Sequence, residues 1–136
     1  QKEEAAMLLK LAQIHIFNKE ADQGMGPIRD AVSIFRSLGD KKGEATALAT
    51  HAQILLEDQD AADALRVAES ASELFKDLGK KGIDGQLAAF ETIVNANVML
   101  GSADEAFSVA VETLKSFNSK RERKGEAAVL MAISDL

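Results

Sequence analysis

The sequence predicts an all-α fold, an α-solenoid of stacked antiparallel helix pairs, and three observations carry that prediction. The first is composition. Alanine supplies 23 of the 136 residues, there is one Pro, and aromatic residues make up 4% with no Trp or Tyr. Sandwiches and barrels draw on β-branched and aromatic strand formers and on frequent turn residues, which are scarce here. The second is periodicity: apolar residues return at spacings of three and four, which draws an apolar stripe along a helix. The third is recurrence. Phe35-Arg36-Ser37-Leu38-Gly39 returns forty residues on as Phe75-Lys76-Asp77-Leu78-Gly79. Lys41-Lys42-Gly43-Glu44-Ala45 returns eighty-two residues on as Arg123-Lys124-Gly125-Glu126-Ala127. Asp60-Ala61-Ala62-Asp63-Ala64-Leu65 returns as Ser102-Ala103-Asp104-Glu105-Ala106-Phe107. A recurring unit of about forty residues built from two helices is the building block of a solenoid.

Taken in order, a first A helix is expected over about 3–17 and its B partner over about 27–38. The second pair falls at about 43–57 and 60–78, the third at about 84–100 and 102–118, and a fourth A helix at about 124–136. In the second pair, Ala45, Leu48, Ala52 and Leu55 line one face of the A helix, and Ala64, Ala68, Ala71, Phe75 and Leu78 line the B helix. Asp60 and Ser102 stand where an N-cap accepts backbone N–H groups; Ser102 with Glu105 spells a capping box, and Asp60 with Asp63 a weaker one. Gly39 and Gly79 read as left-handed helix stops. Ala12, Ala31, Ala52, Ala64 and Ala71 are expected at helix crossings, where a methyl lets the axes approach. Gly24, Gly26 and Pro27 interrupt the pattern, so the first B helix is expected to start late behind a longer loop over Asn18–Pro27, with an interaction lid as the alternative.

At these residues the chain resembles the tetratricopeptide repeat. The fullest match is Ile93-Val94-Asn95-Ala96-Asn97-Val98-Met99-Leu100-Gly101-Ser102-Ala103-Asp104-Glu105-Ala106, with Phe90 at the family's bulky helix-A position, Val94 at its small one, and Ala106 and Thr113 at the small helix-B positions. Leu48, Ala52, Ala64 and Ala71 fit the second unit, and Leu8, Ala12, Gly24 and Ala31 the first. The long period and the Leu-Gly-Asp-Lys-Lys-Gly-Glu-Ala join are similar to the repeats of kinesin light chains and spindle-orientation adaptors. The resemblance implies a right-handed superhelix of about three and a half repeats: about 2–40, 41–80 and 81–122, with the first helix of a fourth over 123–136. The whole reads as one array cut from a longer protein. Departures are the missing Tyr and Trp, the absent Pro after helix B, and the segment from Asn18 to Pro27.

The resemblance also implies a function: a scaffold whose concave A-helix face holds an extended or helical protein segment. By position, that face is Leu9, Gln13 and Ile16; Thr46, Gln53 and Leu56; Glu91, Asn95 and Val98; with Ala6, Ala49, Ala88, Ala128 and Met131 beside them. Gln13, Gln53 and Asn95 hold equivalent places, and an amide both donates and accepts, so it reads a bound backbone whatever its side chains. Leu9, Ile16, Leu56 and Val98 supply apolar contact. A carboxylate clamp needs several Lys and Arg on this face, and Lys10 alone is near. Two further readings are a structural repeat unit embedded in a large assembly and a ligand-sensing domain of a regulator.

Charge and chemistry-bearing residues narrow the classes. The net charge of −6 argues against a general nucleic-acid binder. The run from Lys120 to Lys124 reads first as a solvated loop and second as an anion patch. Acidic residues gather at A-to-B turns (Glu57, Asp58, Asp60) and basic ones at B-to-A joins (Lys41, Lys42, Lys80, Lys81), so stacking gives an acidic and a basic edge. Without Cys, disulfides and thiolate sites are excluded. His15 and His51 lack further ligands at metal spacing and read as packing imidazoles. No phosphate loop or nucleophile motif is present, so no enzyme activity, cofactor or metal is expected. No signal peptide or membrane span is read in the sequence; localisation stays open, with an intracellular setting favoured.

Overall fold

A computed structural model describes residues 2–120 and 122–135, with Asp135 as backbone alone. Gln1, Leu136 and Arg121 of the basic run lie outside the described residues. Among the described residues seven α-helices follow one another: α1 (Lys2–Phe17), α2 (Ala21–Leu38), α3 (Lys41–Glu57), α4 (Ala61–Asp77), α5 (Ile83–Met99), α6 (Ala103–Ser119) and α7 (Arg123–Asp135). A 3-10 turn over Gly79–Gly82 leads into α5. Each helix packs on the next, and the A helices also touch in sequence: α1 with α3, α3 with α5, and α5 with α7. No comparable interface joins α2 to α4 or α4 to α6 among the described residues. The A row is thus the tighter, inner row of the array.

Burial follows from that placement. An A helix has neighbours on several sides, so α3 buries Ala45, Ala47, Leu48, Thr50, Ala52, Ile54 and Leu55 around its circumference. A B helix has an outer face in water, and α4 buries only the stripe Ala61, Ala64, Val67, Ala68, Ala71 and Phe75. The crossing alanines Ala12, Ala31, Ala52, Ala64 and Ala71 are fully buried, as expected. The buried apolar residues form two clusters rather than one core. The first runs from α1 to α4 and takes in Ala89 and Ile93 of α5; the second joins Ile83, Phe90 and Val94 to Ala106, Ala110, Phe117 and Val129.

The A-to-B turns are three copies of one device. Lys19, Gln59 and Gly101 adopt φ of 61°, 68° and 77°. The N–H groups of Glu20, Asp60 and Ser102 donate to the carbonyls of His15, Leu55 and Asn97 at 2.7, 2.8 and 2.8 Å. This is the six-to-one bond of a Schellman stop. Gly39 closes α2 the same way with φ of 70°, and Gly79 has φ of 64°, so both expected glycine stops are present.

Two expectations are corrected. The stretch over Asn18–Pro27 is not a long loop: α2 begins at Ala21, and Pro27 lies inside it. Gly24 holds the place of Ala64 and Ala106, and a Cβ there would lie 3.1 Å from Ile54 Cδ1 and 3.3 Å from the Ala12 carbonyl oxygen. The glycine marks a close helix crossing, not a turn. Gly26 has open space around it and serves a different need, since a Cβ on a helical residue before proline clashes with the proline ring. Nor does Ser102 cap α6 through its side chain. Asp60 does cap α4, accepting from the Asp63 N–H at 3.3 Å, and Asp40 caps α3, accepting from the Gly43 N–H at 3.0 Å.

The B-to-A joins share a lock that the repeated residues spell. Phe35, Phe75 and Phe117 are buried at the ends of the B helices, and each ring lies against a glycine of the next A helix. A Cβ on Gly43 or Gly85 would collide with the ring of Phe35 or Phe75, and one on Gly125 would lie 2.7 Å from Phe117 Cγ. The recurring Lys-Gly-Glu-Ala motif therefore carries a socket for the preceding phenylalanine.

Candidate binding face

The A helices bring the expected face together in register. Gln13, Gln53 and Asn95 are exposed on α1, α3 and α5. Beside them, Leu9, Ile16 and Leu56 are half-buried and pack on the first apolar cluster, while Glu91 and Val98 are exposed. Val98 is 48% exposed, so the apolar flank opens toward α5. Thr46 is half-buried, and its hydroxyl donates to the Lys42 carbonyl at 2.9 Å, which occupies its proton inside its own helix. Of the outlying positions, Ala6, Ala88 and Met131 are exposed, and Ala49 and Ala128 are half-buried. The row thus offers amide hydrogen-bonding groups between apolar shoulders, with little fixed charge.

The histidines sit outside this row. Both are half-buried. His15 Nδ1 is buried without a hydrogen-bond partner, and Glu20 Oε2 stands 3.9 Å away, beyond hydrogen-bond reach. Burial holds the His51 pKa below its ordinary 6.5, and the positive charges of Arg29 and Arg66 lower it further. Among the described residues no three His, Cys, Asp or Glu side chains gather as metal ligands. On the basic edge, Lys124 Nζ donates to Asp84 Oδ1 at 2.7 Å, tying the start of α7 to that of α5, and this bond raises the Lys124 pKa. At the first join, Arg36 Nε donates to Glu44 Oε2 at 3.0 Å.

Two features escaped the sequence reading. The first is an exposed apolar stripe on α1, formed by Met7, Leu11, Ile14 and Phe17, with Phe17 86% exposed. The positions equivalent to Met7 and Ile14 are buried downstream, as Ala47 and Ile54 on α3 and Ala89 and Ala96 on α5. That comparison was open to the sequence, because the repeat register fixes it. The second is a cavity between α4, α5 and α6, described below.

No protein-family model matches the chain, and no curated protein sequence matches it. Solved structures do. The tetratricopeptide-repeat domain of Arabidopsis FLU superposes with a TM-score of 0.76 over 87% of this chain and 98% of its own, at 18% sequence identity. The fold is therefore a tetratricopeptide-repeat solenoid. None of the described helices is long and apolar enough to cross a membrane.

Proposed function

We propose that the chain is a non-catalytic protein-interaction scaffold that holds a peptide or helix segment along its A-helix face. The observation that carries this reading is the row of Gln13, Gln53 and Asn95, three exposed amides at equivalent positions with apolar neighbours. The partner is a protein segment of low charge: the acidic balance disfavours nucleic acid, and the face has no cluster of cations for a terminal carboxylate. The array over 1–136 acts as one binding unit. Panning a random-peptide display library against the protein tests this. Selected peptides lose at least about tenfold in affinity for the Gln53→Arg/Asn95→Arg variant, while its far-ultraviolet circular dichroism stays unchanged. Equal affinity for both proteins overturns the reading.

One observation favours a second reading, a repeat unit embedded in a larger assembly. The Met7, Leu11, Ile14 and Phe17 stripe is an apolar face of the kind that marks an interaction surface. Under this reading the Met7→Glu/Ile14→Glu variant fails to co-purify with the assembly, while the amide-row variant still does.

A further inference from the structure

The outer side of the array carries two equivalent joins, and they are filled differently. At the first, Val32 of α2, Leu48 of α3, and Val67, Ala71 and Leu74 of α4 belong to one packed cluster. At the second, α4, α5 and α6 present Ser72, Phe90, Val109, Thr113 and Ser116 in the same register. Val32, Ala71 and Leu74 have thus become Ser72, Thr113 and Ser116. Glu44, which accepts from Arg36, has become Gln86. The rim changes as well: Arg29, Ser33 and Ser70 give way to Glu69, Glu73 and Glu112. Correspondingly, α6 meets α5 over a much smaller interface than α2 makes with α1 or α4 with α3.

The space left is a cavity of about 340 Å³ between α4, α5 and α6. Phe90 and Ile93 form its apolar wall, with Val109 opposite. Gln86 lines it; that residue is 6% exposed, and its Nε2 is buried without a hydrogen-bond partner. Buried amide donors are nearly always satisfied, and one that is not carries a standing cost that an incoming acceptor removes. At the rim, Lys76 Nζ lies 3.6 Å from Glu73 Oε1; three carboxylates against one ammonium leave two negative charges. The Thr113 hydroxyl donates to the Val109 carbonyl at 2.7 Å, so toward the cavity it offers an acceptor.

We propose that this cavity binds a small organic cation: an amine or guanidinium on a short apolar stem that also carries a carbonyl. The carbonyl accepts from Gln86 Nε2, the stem lies on Phe90 and Ile93, and the cation meets Glu69 and Glu112 at the mouth. The volume lies within the range of small-molecule sites, and the mix of an apolar wall with a few convergent polar groups is their usual composition. The site stands on the outer side of the array and does not depend on the amide row.

The test is a two-dimensional NMR titration with N-acetyl-L-argininamide, set against its neutral isostere N-acetyl-L-citrullinamide. The expected result is saturable shifts at the Gln86 side-chain amide and at Ser72 and Thr113, with at least about tenfold weaker binding of the citrulline compound. Carrying the first join's residues into the second, as Ser72→Val/Thr113→Ala/Ser116→Leu, should raise the melting temperature and abolish saturation. Gln86→Leu and Glu112→Gln, tested singly, should each weaken binding whether or not the triple variant folds. Absence of saturable shifts up to about 10 mM probe, equal binding of the neutral compound, or undiminished binding by Gln86→Leu overturns the proposal. The Gln53→Arg/Asn95→Arg variant retains the site, so failure here is separable from failure of the peptide-binding reading.

Discussion

Replacing Gly43 by Ala sets two physical effects against each other, and the sign of the result decides between them. Helix propensity alone favours the change: Ala is better than Gly inside a helix by about 0.8–1 kcal/mol, and Gly43 lies in the first turn of α3, where part of that gain is realised. The socket opposes it. A Cβ at Gly43 collides with the ring of Phe35, a residue 4% exposed with neighbours on all sides, and overpacking of that kind costs about 1–3 kcal/mol. The expected net outcome is a loss of about 1–2 kcal/mol. Urea titration followed by circular dichroism at 222 nm measures it, since without Trp or Tyr the chain offers little intrinsic fluorescence. Phe35→Leu empties the space the methyl needs. In that background Gly43→Ala should become neutral or stabilising, with a coupling energy of about 1–3 kcal/mol between the two sites. A stabilising Gly43→Ala in the otherwise unaltered protein, with no coupling to residue 35, would refute the socket.

Other outcomes follow from the same geometry. Gln59 holds φ of 68°, where a Cβ is strained by about 1–2 kcal/mol, so Gln59→Gly should stabilise by about 0.5–1 kcal/mol once unfolded-state entropy is subtracted; a melting curve that moves down contradicts this. Ala52 is fully buried at the crossing of α3, and Ala52→Leu should cost about 1–3 kcal/mol in the urea assay. His51 has a folded-state pKa below its unfolded value of 6.5, so the unfolded chain binds the proton more readily. Its contribution to stability is complete above about pH 6.5 and is lost as pH falls from there through the lower folded value. His51→Gln should flatten the pH dependence of the melting temperature over that window.

Which parts of this molecule were readable in the sequence depends on how local their causes are. The helix pairs were readable because Phe35 and Phe75, or Gly43 and Gly125, repeat in register, and because three-and-four spacing is a one-dimensional record of burial. The start of α2 was misread because Gly24, Gly26 and Pro27 are the strongest local turn signals. Yet Gly24 shares its register with Ala64 and Ala106, and the longer-range signal describes the structure. Ser102 and Glu105 spell a capping box, but the box depends on a side-chain rotamer that spacing does not fix. The amide row was readable as a register; its exposure needed the packed neighbours. The cavity was not readable, because it arises where the small changes at Ser72 on α4 and at Thr113 and Ser116 on α6 face one another across α5.

The phenylalanine locks also account for the uneven length of the repeat. Phe35 reaches Gly43 eight residues later, and Phe117 reaches Gly125 at the same distance, but Phe75 reaches Gly85 after ten. The two additional residues are taken up in the 3-10 turn over Gly79–Gly82, outside the ring and its socket. Spacing between neighbouring helices is therefore tied to where the ring lands, and the longer join is itself packed, with buried Gly82 against the Phe75 backbone. The two residues added between Phe75 and Gly85 leave ring and socket together, whereas an insertion inside a helix would rotate the alanine crossings out of alignment. Such an array can drift in length at its joins while its interior stays in register.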